Sequence, residues 1–364
     1  MLKEIWDNII NSENKINKFL FSTIPGYITL SIIALVFTYF VSMVPSLNYY
    51  VSDTQIYKYF VDTGEKDNAL GQDAYSKAEY DKAIRYYEKS KKIRLEKLGE
   101  NHPDVSMSYN NIGTAYASKG EYDKAIRNYN KSLKISLEIL GENHLDVAVF
   151  YNNIGTAYES KGEYDKSIRY YKKAIKIYLA TPGGNDTLLA IGYNNVGLTY
   201  DSKGEYDKSI RYYKKALKIK QEILGENHPL VAMSYNNIGT AYVRKEEYDK
   251  AIIYFKKSIK IRLKTLGENH PDVAMTYNNL GTVYNSKGEY DKAIRYYKKS
   301  LKMYINILED NHPSVATSYT TLGRSYGSKG EYDKAIRYYN KSLKIYLEKF
   351  DENHPSLAMS YNNL

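Results

Sequence analysis

With 364 residues, the chain is long enough for one extended repeat array or two ordinary domains. Its formal net charge of +10 permits acidic proteins, anionic lipid or nucleic acid as partners and selects none of them. Cysteine is absent, which excludes disulfides and thiol chemistry. Tyrosine is frequent at 42 residues, and AT-rich codon usage accounts for that more simply than any tyrosine-based function.

Residues 1–20 place Leu2, Ile5, Trp6, Ile9, Ile16 and Leu20 at helical spacing, with Lys3, Glu4, Asp7 and Glu13 between them. That pattern predicts a short amphipathic helix at a membrane surface. No charged residue occurs from Phe19 to Ser52. Within this stretch, residues 24–48 predict a single transmembrane helix, since about 20 apolar residues span a bilayer. Eleven positions between Tyr27 and Leu47 are Leu, Ile, Val or Phe. They contribute roughly −3 to −6 kcal/mol toward insertion. The stretch is longer than the apolar part of a signal peptide, and no clear cleavage site follows it. Lys3, Lys15 and Lys18 precede it, while Lys58 and Lys66 follow, which leans toward a repeat region outside the cytoplasm. Residues 49–66 read as a linker.

From residue 67 to the end a 42-residue period governs the chain. Tyr-Asn-Asn followed by Ile, Val or Leu starts at Tyr109, Tyr151, Tyr193, Tyr235, Tyr277 and Tyr361; Tyr319 keeps the register with Thr320 and Thr321. Seven units without insertion or deletion follow, plus the start of an eighth. A fixed long period means one supersecondary unit copied and stacked. Each unit predicts two helices. In the first, Tyr109, Ile112, Gly113 and Tyr116 form one face; in the second, Ala125, Ile126, Tyr129, Leu133, Leu137 and Leu140 do. Gly120 and Gly141 are placed to stop them, and Pro103 and Asp104 suit the start of a helix.

The Gly-x2-Tyr and Ala-x3-aromatic spacing of Gly113, Tyr116, Ala125 and Tyr129 resembles the tetratricopeptide pattern. Gly71, Gly155, Gly197, Gly239, Gly281 and Gly323 repeat the glycine. The eight residues beyond the usual 34, with a Gly-Glu-Asn-His-Pro connection, resemble the repeats of kinesin light chains. The resemblance covers residues 67–364. It implies an all-α fold: a right-handed α-solenoid of helix–turn–helix units, preceded here by the transmembrane helix.

Chemistry-bearing groups recur with the period. All six histidines, His102, His144, His228, His270, His312 and His354, occupy equivalent loops. Successive copies stand about two helix layers apart, too far to share one metal ion. Glu121 and Asp123 recur at the start of each second helix, where negative charge is favourable. No nucleophile constellation or phosphate loop is present. We therefore expect a binding protein with no cofactor and no metal, not an enzyme.

On a helical wheel Met107, Thr114 and Ala117 fall within about 60° of Asn110. The tetratricopeptide resemblance implies that first helices line a concave groove. Asn110, Asn152, Asn194, Asn236 and Asn278 would then form a ladder there, flanked by Asn111, Asn153, Asn195, Asn237 and Asn279. Asparagine offers both donor and acceptor, which suits the backbone of an extended peptide. In kinesin-light-chain-like arrays such asparagines hold peptides; plain solvation is the alternative. The monotony breaks at Leu198 and Asp201, at Arg244 and Glu246, and at Thr320, Thr321 and Arg324. Specificity is expected at those positions.

These readings describe a membrane-anchored scaffold or adaptor that binds a protein or peptide segment in its groove. Its nearly constant surface argues against nucleic acid read base by base. Two alternatives stand. A basic outer face formed by Lys124, Arg127, Lys131 and Lys134 would bind nucleic acid or anionic lipid. Otherwise the array is the sensor half of a larger enzyme. The last full repeat, without a polar cap, is expected to favour self-association.

Overall fold

In the computed structural model, the chain is described over residues 64–181, 186–350, 357 and 361–362. The expected surface helix 1–20, the bilayer span 24–48, residues 49–63 of the linker and His354 lie outside the described residues. Among the described residues, no helix is long and apolar enough to cross a membrane.

Each repeat supplies two helices. In chain order they are α1 (Glu65–Ser76), α2 (Tyr80–Leu98), α3 (Pro103–Ser118), α4 (Tyr122–Leu140), α5 (Leu145–Ser160), α6 (Tyr164–Ala180) and α7 (Asp186–Ser202). Then follow α8 (Tyr206–Leu224), α9 (Pro229–Arg244), α10 (Tyr248–Leu266), α11 (Pro271–Ser286), α12 (Tyr290–Ile307), α13 (Pro313–Ser328) and α14 (Tyr332–Lys349). No strand occurs among the described residues. They fall into two units, residues 1–124 and 125–364. In the first, α1 packs on α2 and α2 on α3. In the second, from α5 onward each helix packs on the next in sequence, which makes a solenoidal stack. There α5 also touches α7, and α9 touches α11, so first helices of successive repeats lie side by side.

The start and stop signals work through identifiable bonds. His102 is the N-cap of α3: the Asp104 N–H donates to its Nδ1 at 3.1 Å, and Pro103 follows as the first helical residue. His144, His228, His270 and His312 do the same for α5, α9, α11 and α13. The recurring histidine is thus a helix-start element. At the other end of α3, the N–H of Glu121 reaches the Tyr116 carbonyl and that of Gly120 reaches Ala117, both at 2.9 Å. This reciprocal pair needs a left-handed residue, and Gly120 has φ +82°. Two repeats break the glycine rule: Ala78 (φ 58°) and Glu246 (φ 62°) take the same conformation with a side chain attached.

The core forms where helices approach closely. A Cβ built on Gly155 would lie 2.8 Å from the ring of Tyr171, so only glycine lets that ring lie flat across α5. Gly197 with Tyr213 and Gly239 with Phe255 repeat the contact. Residues such as Leu217, Val231, Ile238, Ala251, Phe255 and Leu280 belong to one apolar cluster that runs from Ile210 to Leu357 within the second unit.

Of the first-helix tyrosines expected on the core face, Tyr200, Tyr242, Tyr284 and Tyr326 are buried in it, while the leading tyrosines Tyr109, Tyr151, Tyr193, Tyr235 and Tyr277 sit at its edge. Tyr151 is half-buried, and its ring stands 6.0 Å from Tyr170, which stacks on Tyr158 at 5.5 Å. Lys173 lies over Tyr151 and Lys166 over Tyr158. The same triads, each with its lysines, recur at Tyr193, Tyr212 and Tyr200 and at Tyr235, Tyr254 and Tyr242. Tyrosine therefore recurs because the rims of the repeats starting at Tyr151, Tyr193, Tyr235, Tyr277 and Tyr319 use stacked rings and cation–π contacts.

Adjacent repeats are joined by charge as well. Lys203, in the turn after α7, meets Asp165 at 2.7 Å and Glu205 at 2.8 Å. Lys245 with Asp207 and Glu247, and Lys329 with Asp291 and Glu331, repeat the arrangement. Hydrogen bonds from Lys203 and Lys208 hold the Glu205 carboxyl down at about 2. The acidic pair at the head of these second helices is therefore a repeat-to-repeat connector as well as a favourable helix start.

Candidate binding face on the first helices

All the asparagines singled out in the sequence lie on first helices: Asn110 and Asn111 on α3, Asn152 and Asn153 on α5, Asn194 and Asn195 on α7, Asn236 and Asn237 on α9, Asn278 and Asn279 on α11. Asn236 is buried and the others are half-buried. In the second unit they bond across repeats. Asn195 Nδ2 donates to Asn152 Oδ1 at 3.1 Å, Asn237 Nδ2 to Asn194 Oδ1 at 3.3 Å, and Asn279 Nδ2 to Asn236 Oδ1 at 3.1 Å. In the first unit Asn111 Nδ2 donates to Asn68 Oδ1 at 3.0 Å. The ladder thus joins neighbouring repeats, a task that sequence reasoning missed along with Asn68. The missed signal was available, because Asn68 stands one period before Asn110.

The bond fixes half of each pair. It uses the acceptor of the leading asparagine and a donor of the trailing one. The amide nitrogens of Asn194 and Asn236, and the side-chain oxygens of Asn237 and Asn279, are outside it. At the α11–α13 junction the ladder stops. Thr320 bonds Ser342 Oγ at 2.8 Å and Thr321 donates to the Ser318 carbonyl at 2.9 Å, so both turn into their own repeat.

A stripe of side chains runs with the asparagines on each first helix at i, i+3, i+7 and i+10. On α5 it reads Val149, Asn152, Thr156, Glu159; on α7, Ile191, Asn194, Leu198, Asp201; on α9, Met233, Asn236, Thr240, Val243; on α11, Met275, Asn278, Thr282, Asn285. Val149, Ile191, Leu198, Met233 and Met275 are all exposed apolar side chains. Isolated exposed apolar residues are ordinary; a row repeated at one register on adjacent helices is not.

The positions expected to carry specificity fall into two groups. Arg324 is exposed on α13 at the register of Thr114. Arg244 ends α9, and its Nη1 meets Asp201 Oδ2 at 2.9 Å. Asp201 is 5% exposed, and its Oδ1 is buried without a hydrogen-bond partner. Burial raises the Asp201 carboxyl above its ordinary range, and Arg244 opposes that. One repeat earlier stands Glu159, which the sequence reading passed over. Tyr171, the ring that crosses Gly155, donates its hydroxyl to Glu159 Oε2 at 2.9 Å. Burial raises the Glu159 carboxyl too, with hydroxyls of Tyr171 and Thr199 partly offsetting it. Its signal was a carboxylate, shared only with Asp201, in a column that otherwise holds Tyr75, Ala117, Val243, Asn285 and Gly327.

The model of the tetratricopeptide repeat matches residues 62–138, 109–180, 188–264, 244–306, 272–348 and 314–364, nearly the whole array. The chain belongs to the tetratricopeptide repeat family. No curated protein matches the sequence. Among solved structures, BtubC (BKLC) from P. vanneervenii is similar at a TM-score of 0.55 and 21% identity, over 64% of this chain and 94% of that one. A putative kinesin light chain of Podosopora anserina with nearly identical repeats is similar at 0.51 and 17%, over 57% and 99%. The apo form of RapI gives 0.61 and 19%, over 80% and 78%. At these identities the likeness establishes the tetratricopeptide fold, kinesin-light-chain-like arrays included. That fold typically serves as a non-catalytic scaffold for protein–protein interaction.

Proposed function

We propose that this tetratricopeptide protein is a scaffold whose first helices bind an extended protein segment. The observation that carries the reading is the exposed apolar row Val149, Ile191, Met233 and Met275, running beside the asparagine pairs of the second unit. Apolar side chains of a partner would pack on that row, while its backbone bonds the amide groups left over from the ladder. Within the second unit Asn152, Asn153, Asn278 and Asn279 extend the same surface, and Arg324 marks its far end; Asn110 and Asn111 belong to the corresponding face of the first unit. Of the residues expected to form an outer basic face, Lys124 pairs with Glu121 and Lys134 with Glu138.

Replacing Asn194 and Asn236 by alanine is an imperfect test, because it also removes two bonds between repeats, worth about 0.5–1.5 kcal/mol each. Met233→Glu with Met275→Glu leaves the ladder intact and places charge on the apolar row. Peptides selected on the wild-type chain from a random library should lose affinity for this variant at least tenfold, with thermal unfolding unchanged. Undiminished binding would remove the groove from consideration. The bilayer anchor is a separate proposal that rests on the composition of residues 24–48; release of the chain from membranes by alkaline carbonate would refute it.

A further inference from the structure

We propose that Glu159 is the receiving site for one lysine or arginine side chain of the bound segment; this rests on the groove reading above. The protein contains its own comparison. At two junctions between first helices, the residue at the tenth place of the stripe meets a residue of the next repeat 43 positions later. At one junction these are Tyr75 and Ser118, whose hydroxyls are 2.8 Å apart. At another they are Asp201 and Arg244, joined at 2.9 Å. Glu159 occupies the same register on α5, and the residue at the place of Arg244 is Ser202, which is exposed. The carboxylate is kept, and the cation is replaced by a short hydroxyl.

Three further observations point to a cation from outside. No ion pair within the described residues engages Glu159, although it is half-buried and ionised groups in such places need partners. Its orientation is fixed by the Tyr171 hydroxyl, which also bonds Thr156 at 3.0 Å, so the carboxylate is held in place before a ligand arrives. Next in the row, Asp201 keeps a buried oxygen without a hydrogen-bond partner, and Tyr213 feels the charges of Asp201, Arg244 and Glu159 together. Unlike the repeated connectors described above, this group of charges occurs once among the described residues. A guanidinium or ammonium lying on Glu159 would repeat the contact that Arg244 makes on Asp201. It would also fix the register of a segment that could otherwise slide along near-identical repeats.

The test is peptide selection from a random library on the full-length chain and on two variants, Glu159→Gln and Ser202→Arg. The wild type should select peptides with lysine or arginine at one fixed place relative to their apolar residues. Glu159→Gln keeps the Tyr171 bond, and should erase the preference at that place and weaken the selected peptides about tenfold. Ser202→Arg supplies the cation from within, as Arg244 does, and should erase the same preference. Matching circular dichroism and thermal unfolding would show that both variants fold. A wild-type consensus without a basic residue, or a basic preference that survives either variant, overturns this assignment and leaves the groove standing. Selection of no peptide by the wild type overturns both.

Discussion

Two junctions between repeats of the second unit use the same core and different polar chemistry. Between α7 and α9 lie the Asn237–Asn194 bond and the Arg244–Asp201 ion pair. Between α11 and α13 there is neither. Thr320 and Thr321 bond within their own repeat, and only Ser325 reaches back, donating to Asn285 Oδ1 at 2.9 Å. Yet Ile238 and Leu322 are equally inaccessible at 0% exposure. Apolar packing holds the stack in register, so the polar face of a first helix can vary from repeat to repeat. That variation is where recognition can be written.

The strongest challenge to this view is to cut the shared core. Ile238→Ala and Leu322→Ala should each lower stability by about 2–5 kcal/mol, and by similar amounts, in chemical denaturation. A much smaller loss at Leu322 would mean that the polar bonds, and not packing, hold the α7–α9 junction. The next effect has the opposite sign. Lys220 is buried between α8 and α9 with Ser234 Oγ at 3.1 Å and no carboxylate, and burial lowers its pKa. Its counterpart Arg262 bonds the Asp272 carbonyl and Thr276 Oγ1, both at 2.6 Å. Lys220→Met should therefore raise stability by about 1–3 kcal/mol, seen as a higher unfolding midpoint.

Smaller effects sharpen the picture. Glu246→Gly removes a side chain from the left-handed position after α9 and should stabilise by about 1 kcal/mol. Thr321→Asn would offer the α11–α13 junction the missing ladder bond to Asn278, for about 0.5–1.5 kcal/mol by the same assay. No gain there would show that the helices meet differently at this junction. The charge connectors should appear in the pH profile. Glu205 and Glu331 are held at about 2 against an ordinary 4.5, so a folded chain binds fewer protons than an unfolded one across that interval. Their contribution is present above 4.5 and lost as pH falls toward 2, and thermal unfolding midpoints should decline over that window, less steeply in high salt.

Much of this was legible in the sequence because it is local. The Gly-x2-Tyr and Ala-x3-aromatic spacing fixes which faces pack, and Pro103 and Gly120 act within a turn of the helix they bound. The role of His102 is equally local, since its partner is the N–H two residues on. What the sequence left open involves residues about one period apart. The asparagine bonds link residues 43 positions apart, and the lysine connectors 38. Those offsets depend on how far one helix is shifted along its neighbour, which no pattern within a repeat encodes. For the same reason the asparagines, read as peptide ligands or as solvated side chains, turn out to connect repeats. Glu159 acquires meaning only beside the Asp201–Arg244 pair, because stacking alone shows that its neighbour has a cation and it does not.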